Sequence, residues 1–334
     1  MSNEEMVHEP LVRVGGLKKL YPLAGGLFKK SDAFIHAVDG VDFDIGDGES
    51  LALVGESGSG KTTTGKLLVR LVDPTSGDIV MRINGYEKDI ANLKGGELKG
   101  FRRHVQMIFQ DPYESLNPRR TIFDTIAEPL VVQGIGDISE REQLVAHYLE
   151  LVGLIPPETF IFRFPHELSG GQRQRVAIAR ALVVVPTFVV ADEPTSMLDV
   201  SIRTGIMHLM QDLADQMGVT YLYITHDLAV ARYMSNRLAV MYLGKIVELG
   251  EMEELLSNPL HPYTKALLSA VPVPDPTFNR DIPNIKGSIA KPINPIPRCR
   301  FFERCPIAEK VCEENDHPPL DDKGAEHFTA CYLV

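Results

Sequence analysis

The sequence predicts an α/β fold in which a parallel sheet is covered by helices, with a helical insert and a small irregular C-terminal domain. Three observations predict it. An apolar run, Ser50-Leu51-Ala52-Leu53-Val54, feeds directly into the glycine-rich loop Gly55-Glu56-Ser57-Gly58-Ser59-Gly60-Lys61-Thr62 and then into helical spacing. Apolar strand-like runs later alternate with helical periods, the pattern of a parallel sheet. After about Leu256 the composition turns Pro-rich, from Pro259 and Pro262 through Pro272, Pro274, Pro276 and Pro283 to Pro292, Pro295 and Pro297.

In chain order, Leu11 to Val14 and Val41 to Ile45 are expected to be strands, with Gly15 to Asp32 an irregular surface loop between them. Lys61 to Val72 spaces its apolar residues as a helix does, and the strand–loop–helix order is the context a phosphate loop requires. Arg103 to Gln110 is expected to be a strand stopped by Pro112. From there to about Pro165 the pattern is helical, in Ile122 to Val132 and Glu140 to Val152. Then follow a helix at Val176 to Val185, a buried strand at Phe188 to Ala191, a helix at Ile202 to Met217 and a strand at Thr220 to Thr225. The expected division is a nucleotide-binding domain over 1–255, with its helical subdomain at about 112–165, and a C-terminal domain over 256–334.

The 334 residues suffice for one large core plus an appendage, and a net charge of −11 argues against a general nucleic-acid binder, which needs a basic face. Glu4 and Glu5 open the chain with no apolar stretch behind them, so no secretory signal is visible. No apolar run approaches the roughly 18 residues that span a bilayer. The expected location is the cytoplasm, with any membrane association made through a partner.

The phosphate loop carries the first chemistry. Its glycines let the backbone wrap tightly and aim N–H groups at phosphate oxygens, Lys61 reaches the β- and γ-phosphates, and Thr62 is suited to ligate Mg²⁺. Thr63 follows it in the same helix start. Phe188-Val189-Val190-Ala191-Asp192-Glu193 delivers two carboxylates at a strand end, where open α/β sheets bind ligands. Asp192 is suited to hold Mg²⁺ through water, and Glu193 to polarise an attacking water as general base. His226 follows the apolar strand Tyr221-Leu222-Tyr223-Ile224-Thr225, at another strand end. Downstream, Leu168-Ser169-Gly170-Gly171-Gln172 offers a second glycine pair ahead of a helix, a further cluster of backbone N–H groups. One chain cannot easily fold both clusters onto one nucleotide.

The ordered pair of motifs resembles the ATP-binding cassette family, in which two cassettes pack head to tail and each ATP is closed between one subunit's phosphate loop and its neighbour's signature loop. The resemblance implies a phosphate-loop ATPase fold with a helical subdomain. It makes Ser169, Gly170, Gly171 and Gln172 the signature that meets the partner's nucleotide, His226 the switch residue, and Gln110 the glutamine that bridges Mg²⁺, water and helical insert. Ser196-Met197-Leu198-Asp199 matches the loop that crosses the dimer interface, with Asp199 communicating between sites. Met197 stands where the family more commonly has Ala. Tyr21 matches the usual place of the adenine-stacking aromatic, with Phe28 and Phe34 as substitutes in the same loop.

All four cysteines, Cys299, Cys305, Cys312 and Cys331, lie in the tail. In a reducing cytoplasm that clustering points to a metal or iron–sulfur site rather than disulfides, and four thiolates suit either iron–sulfur or tetrahedral zinc. The tail, together with Asn258-Pro259-Leu260-His261-Pro262-Tyr263-Thr264, resembles the C-terminal segment of oligopeptide and dipeptide importer ATPases. That resemblance implies a [4Fe–4S] cluster on the cysteines, two transmembrane permeases, a second homologous ATPase in a heterodimer, an extracytoplasmic substrate-binding protein, and a place on the cytoplasmic face of the membrane. An oligosaccharide importer of the same family is the alternative. A soluble cassette ATPase lacks support, because no long heptad insertion or duplicated cassette is present. A redox protein that uses the ATPase core as a regulator is the remaining competitor.

Overall fold

The computed structural model describes residues 10–23, 32–270, 285, 287 and 291–334. Phe28 and the Pro-rich stretch from Pro272 to Pro283 lie outside the described residues. The chain divides into two compact units: one holds Gly46–Glu49 and Arg82–Tyr223, the other Val12–Ile45, Ser50–Met81 and Ile224–Val334.

In the second of these units, the strand Ser50–Val54 runs parallel to Arg237–Tyr242, with Leu51 opposite Arg237 and Val54 opposite Val240. Leu51, Ala52, Leu53 and Val54 are all buried, which is why the segment reads as a continuous apolar run rather than an alternating one. Arg237–Tyr242 turns back through Leu243 and Gly244 into Lys245–Glu251, and the short strands Phe328–Thr329 and Asp321–Asp322 extend the sheet antiparallel from there. A second sheet sets Phe34–Gly46, Pro10–Pro22 and Ser76–Ile83 side by side.

The first strand therefore outruns its predicted end at Val14, and part of the expected Gly15 to Asp32 loop is sheet. A bulge between Gly15 and Lys18 shifts the register without ending the pairing, and Leu17 is fully buried beyond it. The glycine pair announces a turn, but it serves the bulge, with Gly16 at φ 53°. The helix after the phosphate loop covers only Lys61–Leu68, because the chain enters the left-handed region at Arg70, φ 53°.

In the first-named unit, Val105–Ile108 and Phe188–Asp192 pair in parallel, and Thr220–Tyr223, the first part of the strand Thr220–Thr225, follows next. Arg103 and His104 close the helix Gly95–His104 instead of opening the strand, so the expected strand is shorter at both ends. The stretch after Pro112 is helical as the periodicity predicts. Ile122–Gln133 starts at a capping box made by Thr121 and Asp124, and Ile138–Leu151 at one made by Asp137 and Glu140. A third box, Ser169 with Gln172, opens the helix Gly170–Leu182, which starts well before the predicted Val176. Two adjacent glycines argue for loop on propensity, and the cap overrides them.

The core of the second unit joins the sheet to the C-terminal region. Ala52, Val54, Leu238, Val240 and Val247 pack with Tyr263, Phe301, Cys299 and Cys312 in one buried cluster. Fully buried Glu248 sits at its edge. Its carboxylate accepts from Leu260 N (2.7 Å), His261 N (2.9 Å) and His327 Nε2 (2.8 Å), so each backbone donor at this bend has an anionic partner.

His261 caps the helix Pro262–Ser269 by accepting from Tyr263 N at 3.0 Å through Nδ1, which requires a neutral ring. Burial, with Lys265 nearby, pushes its pKa down to about 3. Between pH 6.5 and about 3 the unfolded chain therefore binds a proton that the folded chain refuses, and stability present above pH 6.5 is lost as pH falls. His261→Asn keeps a capping acceptor and removes the titration. Denaturant melts at pH 7.5 and pH 5 should show the wild type losing about 2 kcal/mol more than the variant across that interval.

Candidate nucleotide site

The phosphate loop takes its shape from backbone packed against it. A Cβ added at Gly55 (φ 152°) would lie 2.1 Å from the Met241 carbonyl oxygen, and one at Gly60 (φ 113°) 2.2 Å from that of Ala37. Both positions therefore exclude any side chain. Gly244 N donates to Ser59 O at 2.8 Å and Asp39 N to Gly244 O at 2.9 Å, tying the loop to the hairpin turn and to the strand Phe34–Gly46. Gly60 caps the helix Lys61–Leu68 with no side-chain acceptor, which leaves the first-turn N–H groups to an anion.

Lys61 is buried and folded over the loop, where Nζ donates to Gly55 O (2.7 Å), Glu56 O (3.0 Å) and Ser59 Oγ (3.4 Å). Its charge is solvated by the loop itself, so phosphate oxygens exchange with carbonyls rather than with water. Ser57 and Gly58 are exposed at the loop crest, and Thr62 and Thr63 are half-buried at the helix start. His226 is exposed directly after Thr225. Thr225 Oγ1 accepts from Asp227 N at 3.0 Å, and the Asp227 carboxylate caps the following helix through Ala229 N and Val230 N, which fixes the backbone on both sides of His226. Tyr21 lies on the first strand with the Lys19 ammonium 5.1 Å from its ring centroid, while Phe34 is exposed.

In the other unit, Asp192 is buried at the end of its strand, and Glu193 turns into the left-handed region at φ 46°. A non-glycine residue there stores backbone strain, a common feature of reactive positions. Gln110 Nε2 donates to Glu193 Oε2 at 3.1 Å, so the two residues singled out by sequence meet. Ser196 holds the turn with N and Oγ both donating to Glu193 O, at 3.2 and 3.1 Å.

Ser169 spends its side chain on the helix cap: Oγ accepts from Gln172 N at 3.3 Å, and Gln172 Oε1 accepts from Ser169 N at 3.0 Å. Gly171 has no room for a side chain, since a Cβ would lie 2.8 Å from Ile202 Cγ2. The loop before Asp199 is held by Arg203, whose Nε donates to Leu198 O at 2.9 Å and Nη2 to Ser196 O at 3.3 Å. Asp199 is exposed and its side chain does not cap the helix Val200–Met217. Its neighbours Met197 (58% exposed) and Val200 (78%) stand out as apolar side chains in water.

Sequence reasoning missed two arginines. Arg203 is one. Arg173, in the signature helix, is buried, donates to Pro165 O and Leu168 O (both 2.6 Å) and lies 3.7 Å from the Tyr113 ring centroid. A charged residue at a position whose neighbours Val176 and Ala177 face the core was the available signal.

Among the cysteines, Cys299 and Cys312 are buried and Cys305 packs against the same cluster. Cys299 N donates to Cys312 O at 3.0 Å. Burial pushes the Cys299 thiol up to about 11, with Cys312, Cys331 and Cys305 near enough to add to the shift. Three of the four, Cys299, Cys305 and Cys312, join one apolar core, and soft sulfurs so placed suit a thiolate-ligated group. They do not fit a single ion as they stand, since among the described residues no group of three or more His, Cys, Asp or Glu side chains could hold one.

Residues 38–196 match the family model described as ABC transporter. Along nearly its whole length the chain is also similar to curated relatives. It is 45% identical to the oligopeptide transport ATP-binding protein AppF of Bacillus subtilis (97% of this chain, 98% of the relative) and 44% identical to the dipeptide transport ATP-binding protein DppF of Haemophilus influenzae (100% of each). The chain belongs to the ABC transporter family. It is an ABC-type ATPase, with hydrolysis coupled to transport. Residues 247–312 match a second model, oligopeptide/dipeptide transporter, C-terminal region. Among solved structures it resembles the ATP-binding cassette MJ0796, a dimer in a post-hydrolysis state bound to ADP and Pi, at 31% identity and TM-score 0.62 over 72% of this chain and 98% of that one. The α/β phosphate-loop fold expected from the sequence is the one present. Among the described residues no helix is long and apolar enough to cross a membrane.

Gly60→Ala places a methyl against the Ala37 carbonyl at a φ that alanine rarely adopts. Titration with a fluorescent ADP analogue should show affinity reduced at least about tenfold, while far-UV circular dichroism stays that of the wild type.

Proposed function

We propose that this protein is the ATP-hydrolysing subunit of a binding-protein-dependent importer of oligopeptides or dipeptides. The observation that carries the reading is the similarity to peptide-import ATP-binding proteins across both the cassette and the C-terminal region. In this reading the nucleotide-binding domain runs over 1–255, with its helical subdomain at about 112–165, and 256–334 is the transporter-type appendage. The loop amides of Gly55, Ser57, Gly58, Ser59 and Gly60 hold the phosphates, and Lys61 leaves its carbonyl partners for the β- and γ-oxygens. Thr62, Gln110 and Asp192 are the residues that would hold Mg²⁺, which would supply charge neutralisation for the phosphoryl oxygens. Glu193 takes a proton from the attacking water, Gln110 orients it, and His226 senses the γ-phosphate. Tyr21 stacks on adenine, and Thr63 supports the phosphate-binding turn.

Ser169, Gly170, Gly171, Gln172 and Asp199 serve the neighbouring cassette's nucleotide. The exposed Met197 and Val200 beside Asp199 support an interface there. The partner cassette is a second, distinct ATPase, making a heterodimer. Two permeases complete the assembly, and the cytoplasmic helix of the membrane partner docks on this chain's helical subdomain, where Phe123, Ala127, Val131, Val132 and Ile138 line a cavity of about 410 Å³ rimmed by Arg120 and Arg141. The assembly works at the cytoplasmic face of the membrane with an extracytoplasmic binding protein. Cys299, Cys305, Cys312 and Cys331 would hold a [4Fe–4S] cluster, which would supply a thiolate-ligated cross-link in the tail.

Anaerobic purification from native membranes in mild detergent, followed by mass spectrometry, should recover two permeases, a second cassette ATPase and a peptide-binding protein. Recovery of the chain alone would overturn the importer reading, and a sugar-binding companion the peptide reading. Glu193→Gln should retain ATP binding and lose turnover by about 10²-fold or more, read as single-turnover phosphate release. Near-normal hydrolysis in that variant would defeat the general-base role. The same preparation should contain iron and acid-labile sulfide in equal amounts; zinc instead would replace the cluster with an ion.

A further inference from the structure

We infer that Arg304, in the cysteine-bearing tail, is a positioning residue for the phosphate loop and acts through Glu56. Glu56 follows the first loop glycine, and three of its groups are engaged at once. Its N–H donates to Tyr263 Oη at 2.9 Å. Its carbonyl accepts from Lys61 Nζ at 3.0 Å. Its carboxylate takes both ends of the Arg304 guanidinium, Nη1 to Oε2 at 2.8 Å and Nη2 to Oε1 at 3.0 Å. The two-pronged pair fixes the direction of the carboxylate as well as its distance, which a single ammonium does not do. The residue that the tail grips therefore also supplies a resting acceptor to the lysine that must reach ATP.

Arg304 acts from a fixed base. It is 9% exposed, with its guanidinium 5.6 Å from the Tyr242 ring centroid and 5.9 Å from that of Phe301, and Nη1 reaches Tyr242 Oη at 3.4 Å. Cys305 N donates to Phe301 O at 2.8 Å, closing the turn that carries it. The same tail is braced on the strand Phe34–Gly46. Arg300 pairs with Asp39, His36 N donates to Pro292 O at 2.8 Å, and Asn294 Oδ1 accepts from Phe34 N at 2.8 Å. Removing one partner of a largely buried pair leaves the other unpaired, so the loop shifts to bring Glu56 to water. The chain thus uses the tail to preset the loop before nucleotide arrives, and affinity for the phosphates depends on a residue that does not touch them.

The test is fluorescent-ADP titration and steady-state ATPase on the full chain with Glu56→Gln, Arg304→Met and the double variant. Glu56→Gln removes a negative charge beside the phosphates, so electrostatics alone would tighten binding. Positioning predicts the opposite sign, a loss of about tenfold, as expected for breaking a charged hydrogen-bonded pair. Arg304→Met should weaken binding by a similar factor, the double variant should be no worse than either single one, and KM should rise while kcat is largely kept. Should Arg304→Met fail to fold, Glu56→Gln decides alone. Unchanged or tighter binding by a folded Glu56→Gln protein, or additive losses in the double variant, would overturn the inference.

Discussion

Two backbone carbonyls, Met241 O and Ala37 O, set the terms for the rest of this molecule. They stand so close to the phosphate loop that positions 55 and 60 admit only glycine, and with that the loop must curl with its N–H groups inward. Met241 is there because Arg237–Tyr242 pairs in parallel with the strand that feeds the loop, and Ala37 because Asp39 N is tied to Gly244 O. The buried cluster beneath, from Ala52 and Val54 to Phe301 and Cys312, makes the same framework continuous with the tail. The curl of the loop is thus set by backbone contacts and apolar packing, with the Arg304–Glu56 pair added on top of them.

The turn at Glu193 follows a different logic. Glu193 is held in a strained conformation, with Gln110 on its carboxylate and Ser196 on its carbonyl, so its geometry is fixed by its neighbours. In the signature region Ser169 is used by the helix cap, Gly171 is closed off by Ile202, and Asp199 stands exposed between the apolar side chains Met197 and Val200. The chain thus carries a phosphate loop in one unit and a glycine-led, side-chain-capped helix start in the other.

Much of this was legible in the sequence where the signal is local. The phosphate loop, the carboxylates after Phe188–Ala191 and the strand before His226 declare themselves, because short motifs and apolar runs encode their own backbone. The first strand was underestimated because Gly15 and Gly16 look like a turn and serve a bulge. The signature helix was started late because glycines read as loop until Ser169 and Gln172 are seen to cap it. The grouping of the cysteines was visible in the sequence, but the separations of their sulfurs are not encoded by spacing. Arg304 and Glu56 lie 248 residues apart. No periodicity connects them, and only the folded core does.

The most direct measurement is ATP hydrolysis by the assembled transporter in proteoliposomes, with and without peptide-loaded binding protein, alongside uptake of labelled peptide. Hydrolysis that rises with the loaded binding protein and tracks uptake is the result the account predicts. Hydrolysis indifferent to permeases, binding protein and peptide would contradict it.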